Sequence, residues 1–273
     1  MGRAPFAALI LLAACSGESG RPGEADAAVA GATSDAGAVD AAPAAEVDLD
    51  RDGLSDAREM ELALAYRPHL SVHPDDGCPL GAIVLRVRPH PGDPALVHII
   101  YDHLFEDDCG TTGHVGDDEV FAVTVDPGVP PPGGIRAIRA IAHQSTPCQR
   151  VSECGACGEM DACGTVDRAG QAWPVVYSSR DKHGSYVSGC QWSCLDQCEL
   201  ATAGADPPML NAGEPDAHLV EDLTTAGLIT AEAGWSEQSL FHHDPWDPER
   251  EFGGAGLIAG DLTDPAFDTP ACR

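Results

Sequence analysis

Lysine is almost absent from this chain. Of 15 basic residues only Lys182 is a lysine, and they stand against 44 Asp and Glu, for a formal net charge of -29 over 273 residues. A field of that sign repels nucleic acid and anionic membrane surfaces and attracts cations. Nucleic acid is therefore excluded as a partner, and most of the carboxylates read as a solvated acidic surface. After the first fifteen residues no stretch is apolar enough to cross a bilayer. There is no internal repeat and no phosphate-cradling glycine loop. Ser178, Ser179 and Ser185 lie near His183, but no G-x-S-x-G elbow accompanies them, which argues against a serine hydrolase.

What is present begins with an export segment. Met1-Gly2-Arg3 is a short basic head and Ala4 to Ala14 an apolar stretch too short to span a membrane, so residues 1–14 read as a cleaved signal peptide. Leu12-Ala13-Ala14-Cys15 resembles the lipobox of bacterial lipoproteins. By that resemblance Cys15 carries the lipid, palmitate among its acyl chains, and several chains on one residue give stable anchoring where one does not. The alternative is an ordinary secretory signal with an incidental cysteine. The expected location is the cell envelope, anchored to a bacterial membrane, at the outer membrane or cell surface. Ser16 to Glu46 is built mostly of Ala, Gly, Ser, Pro, Asp and Glu, with Val29 and Val39 its only larger apolar residues. It cannot bury enough surface to offset its ordering entropy, so residues 15–46 read as a lipidated disordered tether spanning on the order of 30 Å.

Ten further cysteines, Cys78, Cys109, Cys148, Cys154, Cys157, Cys163, Cys190, Cys194, Cys198 and Cys272, form an even set. In an exported chain that points to disulfides. Cys154-x2-Cys157-x5-Cys163 also looks like half a zinc site, which an oxidising compartment disfavours. If 190–198 is helical, its three sulfurs share one stripe and must pair elsewhere. The expectation is a staple from this stripe to the 154–163 cluster, leaving Cys78, Cys109, Cys148 and Cys272 for two bridges.

The strongest local motif is DLDRDGLSDARE, residues 48–59. Asp48, Asp50, Asp52, Gly53 and Glu59 fit D-x-D-x-D-G-x5-E, and Asp56 adds a carboxylate at the ninth loop position. Oxygen ligands at these spacings suit calcium, and the loop resembles the shortened calcium loops of dockerins and thrombospondin type 3 repeats. The plainer reading is an acidic helix start, with Asp56 and Glu59 complementing the dipole of a helix from about Asp56 to Ala65 that Pro68 ends. Residues 47–65 thus form a calcium loop and helix at the junction of tether and domain.

From residue 66 to 273 the pattern is strand-like, with a cysteine-rich insertion at about 148–198. Gly81 to Arg88, Ala95 to Phe105, Val120 to Val125, Ile135 to Ala142 and Trp173 to Ser178 are short apolar runs separated by Pro, Gly and Asp clusters. No helix of useful length intervenes, so the fold class is all-β, a disulfide-stapled β-sandwich with a few short helices. One further helix is expected at Pro215 to Thr225.

The densest polar stretch of this domain is GHVGDDE, residues 113–119. With strand geometry from about Asp117, Asp117 and Glu119 point to one face and His114 in the preceding turn can fold over them. One imidazole and two carboxylates there can hold a divalent cation or act as a general base, or simply form a wet turn. Tyr66 to Asp76, His114 to Glu119, Val176 to Ser179 with His183 to Tyr186, and Asn211 to Pro215 resemble, in order, motifs of the vacuolar protein sorting-associated protein 62 family. The likeness covers roughly 62–255. The same heptad is similar to G-H-R-H-D-W-E of the necrosis-inducing protein family, a sandwich with a divalent ion at its His, Asp and Glu. The resemblance implies a jelly-roll-like β-sandwich and a metal site of His114, Asp117 and Glu119. Asp118 stands where both motifs have Trp, and Gly116 where the heptapeptide has its second His; the lost Trp removes a packing residue but no ligand. A fourth ligand is expected from Asp102, Asp107 or Asp108. His143 and His183 rank as outer neighbours at best, more often surface histidines, and HHDPWD at 242–247 reads better as a packed terminal loop than as a metal corner.

Two functions follow from this reading. The first is a membrane-tethered sandwich that binds a surface ligand (protein, glycan or lipid headgroup), with calcium in the 48–59 loop and a second divalent cation at 114–119. The alternative is a metal-dependent hydrolase that uses His114, Asp117 and Glu119 to activate water on an ester or glycoside.

Overall fold

The computed structural model describes residues 47–48, 51–78, 80–111, 113, 115–143, 150–155, 163–187 and 204–211. The chain divides into two units, Met1–Ala44 and Ala45–Arg273, and every described residue belongs to the second.

The second unit opens with helix α1, Asp56–Tyr66. Ser55 caps it, its Oγ accepting from the Arg58 N–H at 3.3 Å, and Asp56 and Glu59 place negative charge in the first turn. The helix ends just before Arg67 and Pro68, where the residue preceding a proline is driven to extended geometry; Arg67 has φ -60 and ψ 123. Glu59, Leu62, Ala63 and Tyr66 face inward at helical spacing.

Eleven strands follow: β1 His69–Ser71, β2 Leu80–His90, β3 Asp93–Asp107, β4 Val115–Val125, β5 Ile135–Ala142, β6 Arg150–Cys154, β7 Thr165–Arg168, β8 Gln171–Ser178, β9 Ser185–Tyr186, β10 Gly204–Ala205 and β11 Met209–Asn211. One sheet has the order β11-β2-β3-β4-β5-β6, and its members from β2 to β6 form an antiparallel meander. The smaller sheet runs β10-β1-β8-β7, with β9 also paired to β8. Two pairings are parallel, β1 with β8 and β11 with β2. These are the expected all-β sandwich sheets, with α1 as the helix among the described residues.

The layers meet in one apolar cluster. Alternate residues Ile83, Leu85 and Val87 of β2, Val97, Ile99 and Tyr101 of β3, and Phe121, Val123 and Val125 of β4 join Leu62, Ala63 and Tyr66 of α1, Leu70 of β1 and Val176 of β8. Tyr101 stacks on Phe121 at 4.8 Å, and its hydroxyl donates to the Ala63 carbonyl at 2.7 Å, tying helix to sheet. Residues of β2 and β3 on the opposite face, such as Ala82, Val84, Ile100 and Leu104, are buried too. Burial on both faces explains why these strands read as near-continuous apolar runs.

Two disulfides fall within the described residues, Cys78–Cys109 and Cys154–Cys163. The second corrects the expected pairing of the 154–163 cluster with the 190–198 stripe. Cys154 at the end of β6 and Cys163 lie at a Cα separation of 5.1 Å, within bridging reach. The pair is consumed there, which also removes two ligands from the alternative zinc site. Cys15, Asp50, His114, Cys148, Cys157, Cys190, Cys194, Cys198, Cys272 and the helix expected at Pro215 to Thr225 lie outside the described residues. Among the described residues no helix is long and apolar enough to cross a membrane.

Candidate functional site

Strand β4 begins at Val115, two residues earlier than the sequence suggests, and pairs Asp117 with Phe105 and Glu119 with His103 of β3. Asp117 and Glu119 therefore share the inward face with Phe121, and both are buried, at 5% and 7% exposure. Two carboxylates on the core side of a sheet need partners, because an unpaired buried charge is strongly unfavourable.

For Asp117 the partner is His183, in the turn between β8 and β9. Its Nδ1 lies 2.7 Å from Asp117 Oδ2, and its Nε2 lies 3.3 Å from Asp76 Oδ1. The ring is fully buried and stacks on Phe105, with centroids 3.7 Å apart and planes within 4°. Burial by itself disfavours the charged ring, but hydrogen bonds and charges from Asp117 and Asp76 outweigh it and push the imidazole up to about 9. Both ring nitrogens then donate. Asp76 is shifted the other way: burial works to raise its carboxyl, and hydrogen bonds from His183 and the Cys78 and Asp181 N–H groups bring it below its ordinary value.

The turn that carries His183 is unusual. Asp181 and His183 have φ of 62 and 55, which is uncommon for side chains other than glycine. The Ser179 and His183 backbone bonds hold it, as does the Ser178 hydroxyl, which donates to the His183 carbonyl. Three segments interlock around it. Gly77 donates to Asp181 Oδ1 at 3.0 Å and Asp181 donates its N–H to Asp76 Oδ2 at 3.1 Å. Lys182 Nζ pairs with Asp108 Oδ2, and Cys78–Cys109 joins the Asp76 and Asp108 loops. A cavity of about 250 Å³ opens beside this knot, lined by Gly77, Cys78, Leu80, Gly81, Glu106 and Asp107.

These positions revise several expectations. His183 is not a surface histidine, and Asp76, inside a motif singled out by resemblance, was not recognised as a site residue. Of the candidates for a fourth ligand, Asp102 pairs with Val84 and Val120 on the face opposite Asp117, Asp107 is exposed, and Asp108 is paired with Lys182. His143, at the end of β5, is half-buried with φ 55. His103, opposite Glu119, is a further buried imidazole, set edge-on to Phe121 at 5.1 Å. Burial, with the charges of Arg67 and His183, lowers it to about 3, so it stays neutral. Among the described residues no three His, Cys, Asp or Glu form a ready-made metal cluster.

The N-terminal loop has the turn its motif demands. Gly53 has φ +100, which suits glycine, and donates to Asp48 Oδ2 at 3.2 Å. Asp52 Oδ1 accepts from Leu54 at 2.8 Å, and Glu59 Oε2 accepts from the Asn211 amide at 2.5 Å. The second oxygens, Asp48 Oδ1, Asp52 Oδ2 and Glu59 Oε1, are all shielded from solvent, and Asp48 Oδ1 has no hydrogen-bond donor. Hard oxygen atoms so disposed fit the donor chemistry of calcium. The incoming chain is fixed by the Asp56 N–H on the Val47 carbonyl at 2.9 Å.

Fold and site together describe an all-β sandwich with a buried, ion-paired polar end. No protein-family model matches the chain and no curated protein does, so the likeness to the vacuolar protein sorting-associated protein 62 family rests on the short motifs alone. Among solved structures it is similar to one described as a toxin fold for microbial attack and plant defense, at 17% identity and TM-score 0.34, over 55% of this chain and 72% of that one. It is also similar to NLPPya in complex with mannosamine, at 17% identity and TM-score 0.35, over 56% and 73%. A third is Necrosis and Ethylene inducing Protein 2 from the causal agent of cocoa's Witches Broom disease, at 13% and 0.34, over 55% and 72%. Likeness at this level adds nothing to the chemistry of the site, which rests on its own geometry.

Proposed function

We propose that the chain is an extracytoplasmic sandwich, tethered to a bacterial membrane through lipid on Cys15, that binds a surface ligand at the polar end formed by Asp76, Asp117, Glu119 and His183. The ligand is a protein, glycan or lipid headgroup. Calcium in the 48–59 loop, on Asp48, Asp50, Asp52, Asp56 and Glu59, stiffens the junction with the tether. A second divalent ion is held by His114, Asp117 and Glu119, where it supplies positive charge for an anionic or hydroxylated ligand group.

The observation that carries this reading is that Asp76 and Asp117 share a single buried imidazole, with Nδ1 2.7 Å from Asp117 Oδ2 and Nε2 3.3 Å from Asp76 Oδ1. The three carboxyl groups of Asp76, Asp117 and Glu119 outnumber that one ring in a place of low dielectric, which favours a cation. Asp117 gives one oxygen to His183, so the ring orients the carboxylate whose other oxygen an ion would use, a familiar outer-neighbour role for histidine–carboxylate pairs. The interlocked loops make this end pre-organised, which suits binding. The hydrolase alternative would use the same ion at His114, Asp117 and Glu119 to activate water; His183, with both nitrogens facing carboxylates, and Asp76, both of whose oxygens accept hydrogen bonds, offer it no general base.

The test is divalent-metal content, by mass spectrometry, of the full mature chain and of its Asp48→Ala and Asp117→Ala variants. Each variant should lose one equivalent and keep the other. Protein that carries no divalent ion, or an Asp117→Ala variant with undiminished content, contradicts the proposal. The full chain is needed, because α1 contributes Leu62, Ala63 and Tyr66 to the core and truncation within it would damage the sandwich.

A further inference from the structure

Lys182 is the only lysine in 273 residues, and it is spent on an inward contact. Its side chain is 10% exposed, that of Asp108 only 3%, and Nζ meets Asp108 Oδ2 directly. A surface ion pair would leave both groups in water; here neither end has much. The approach depends on Gly110, because a Cβ at that position would collide with the Cγ and Cδ atoms of the Lys182 stem. The Gly110 N–H also donates to Asp108 Oδ1 at 2.8 Å. The two oxygens of this carboxyl therefore have different partners, a backbone donor on one and an amine on the other. The neighbouring Cys78–Cys109 bridge holds the Asp108 loop in place.

We propose that Lys182 and Asp108 are joined in the mature protein by an intramolecular isopeptide bond between Lys182 Nζ and Asp108 Cγ. Keeping two opposite charges away from water is costly, and passing one proton from Nζ to Oδ2 removes both charges at once. The resulting amine attacks Cγ, and the negative charge that develops on Oδ1 is met by the Gly110 N–H, as a backbone donor stabilises an oxyanion. A second proton moves from Nζ to the Oδ2 hydroxyl, the Cγ–Oδ2 bond breaks and one water leaves. Ammonium plus carboxylate thus becomes amide plus water, with no oxidant, reductant or cofactor. Holding the reactants together in a fixed loop replaces the activation that an intermolecular amide would need. The bond ties the loop after β3 to the turn after β8, across the two sheets, and it locks the turn that presents His183. The charge balance between His183, Asp76 and Asp117 is unaffected.

A single lysine makes the test unambiguous. Protein purified from the envelope is reduced, alkylated, denatured and digested with trypsin. The peptides containing Asp108 and Lys182 should run as one branched species, one water lighter than the two together. A lysine-specific protease should leave the denatured chain uncut at 182. In Lys182→Arg the two peptides should separate at full mass. Recovery of separate wild-type peptides at full mass, with complete cleavage after Lys182, would overturn the proposal and leave an ordinary buried ion pair.

Discussion

A histidine with no access to water, both of its nitrogens facing carboxylates and its ring against a phenyl face, is held as a cation by its surroundings. Removing it strands two buried carboxylates, so His183→Ala should lose about 3–5 kcal/mol of stability in urea unfolding. A loss below about 1 kcal/mol would mean that the carboxylates find water instead. The pH dependence has a definite sign. His183 has a folded-state value, about 9, above its ordinary 6.5. Its contribution, on the order of 3 kcal/mol, is fully present below pH 6.5 and is lost as pH rises through about 9. Asp76, held below its ordinary carboxylate value, contributes above that value and loses the contribution as pH falls through its depressed one. Thermal melts from pH 5 to 10 should therefore decline on the alkaline side, and His183→Gln should flatten that decline. At this scale the sequence was partly legible: the two-residue period places Asp117 and Glu119 on one face, as found. His183 was misjudged because its flanks, Lys182 and Gly184, look like a solvent turn. Its burial is decided by a loop 66 residues away along the chain from Asp117.

Among the elements, α1 joins the calcium motif to the core. Its first turn contributes Glu59 to the loop and to Asn211 of β11, while its later turns pack on β2 and β3. Chelation of the calcium proposed for this loop should therefore raise hydrogen exchange in residues 48–59 and leave β2 to β5 protected; global unfolding on chelation would contradict that role. Tyr101→Phe leaves the buried Ala63 carbonyl without its donor and should cost about 1–3 kcal/mol, measured by denaturant unfolding. The helix was readable from Asp56 and Glu59 in its first turn and from Pro68, and the five long strands from apolar runs bounded by Pro, Gly and Asp clusters. The short strands β1, β9, β10 and β11 were not, because two or three residues carry no periodicity and exist only through their neighbours. The Cys154–Cys163 bridge was missed for a related reason: spacing along the chain does not show which cysteines lie within bridging distance.

For the whole molecule, the sandwich places its polar knot at the end where β3 meets β4 and β8 meets β9. Which end this is follows from topology and not from composition. The two sheets were legible as a class, whereas the convergence of Asp76, Asp117 and His183 from three separated segments was not. The proposed tether belongs to this scale as well: Cys15→Ser should move the protein from the membrane pellet to the soluble fraction, and unchanged partition would remove the lipid anchor from the account. A charged His183 shared between two carboxylates organises the polar end. Its charge is open to nitrogen-15 NMR of the His183 ring through a pH titration. Both ring nitrogens should be protonated at neutral pH, with deprotonation near 9. A neutral ring that titrates near 6.5 would contradict it.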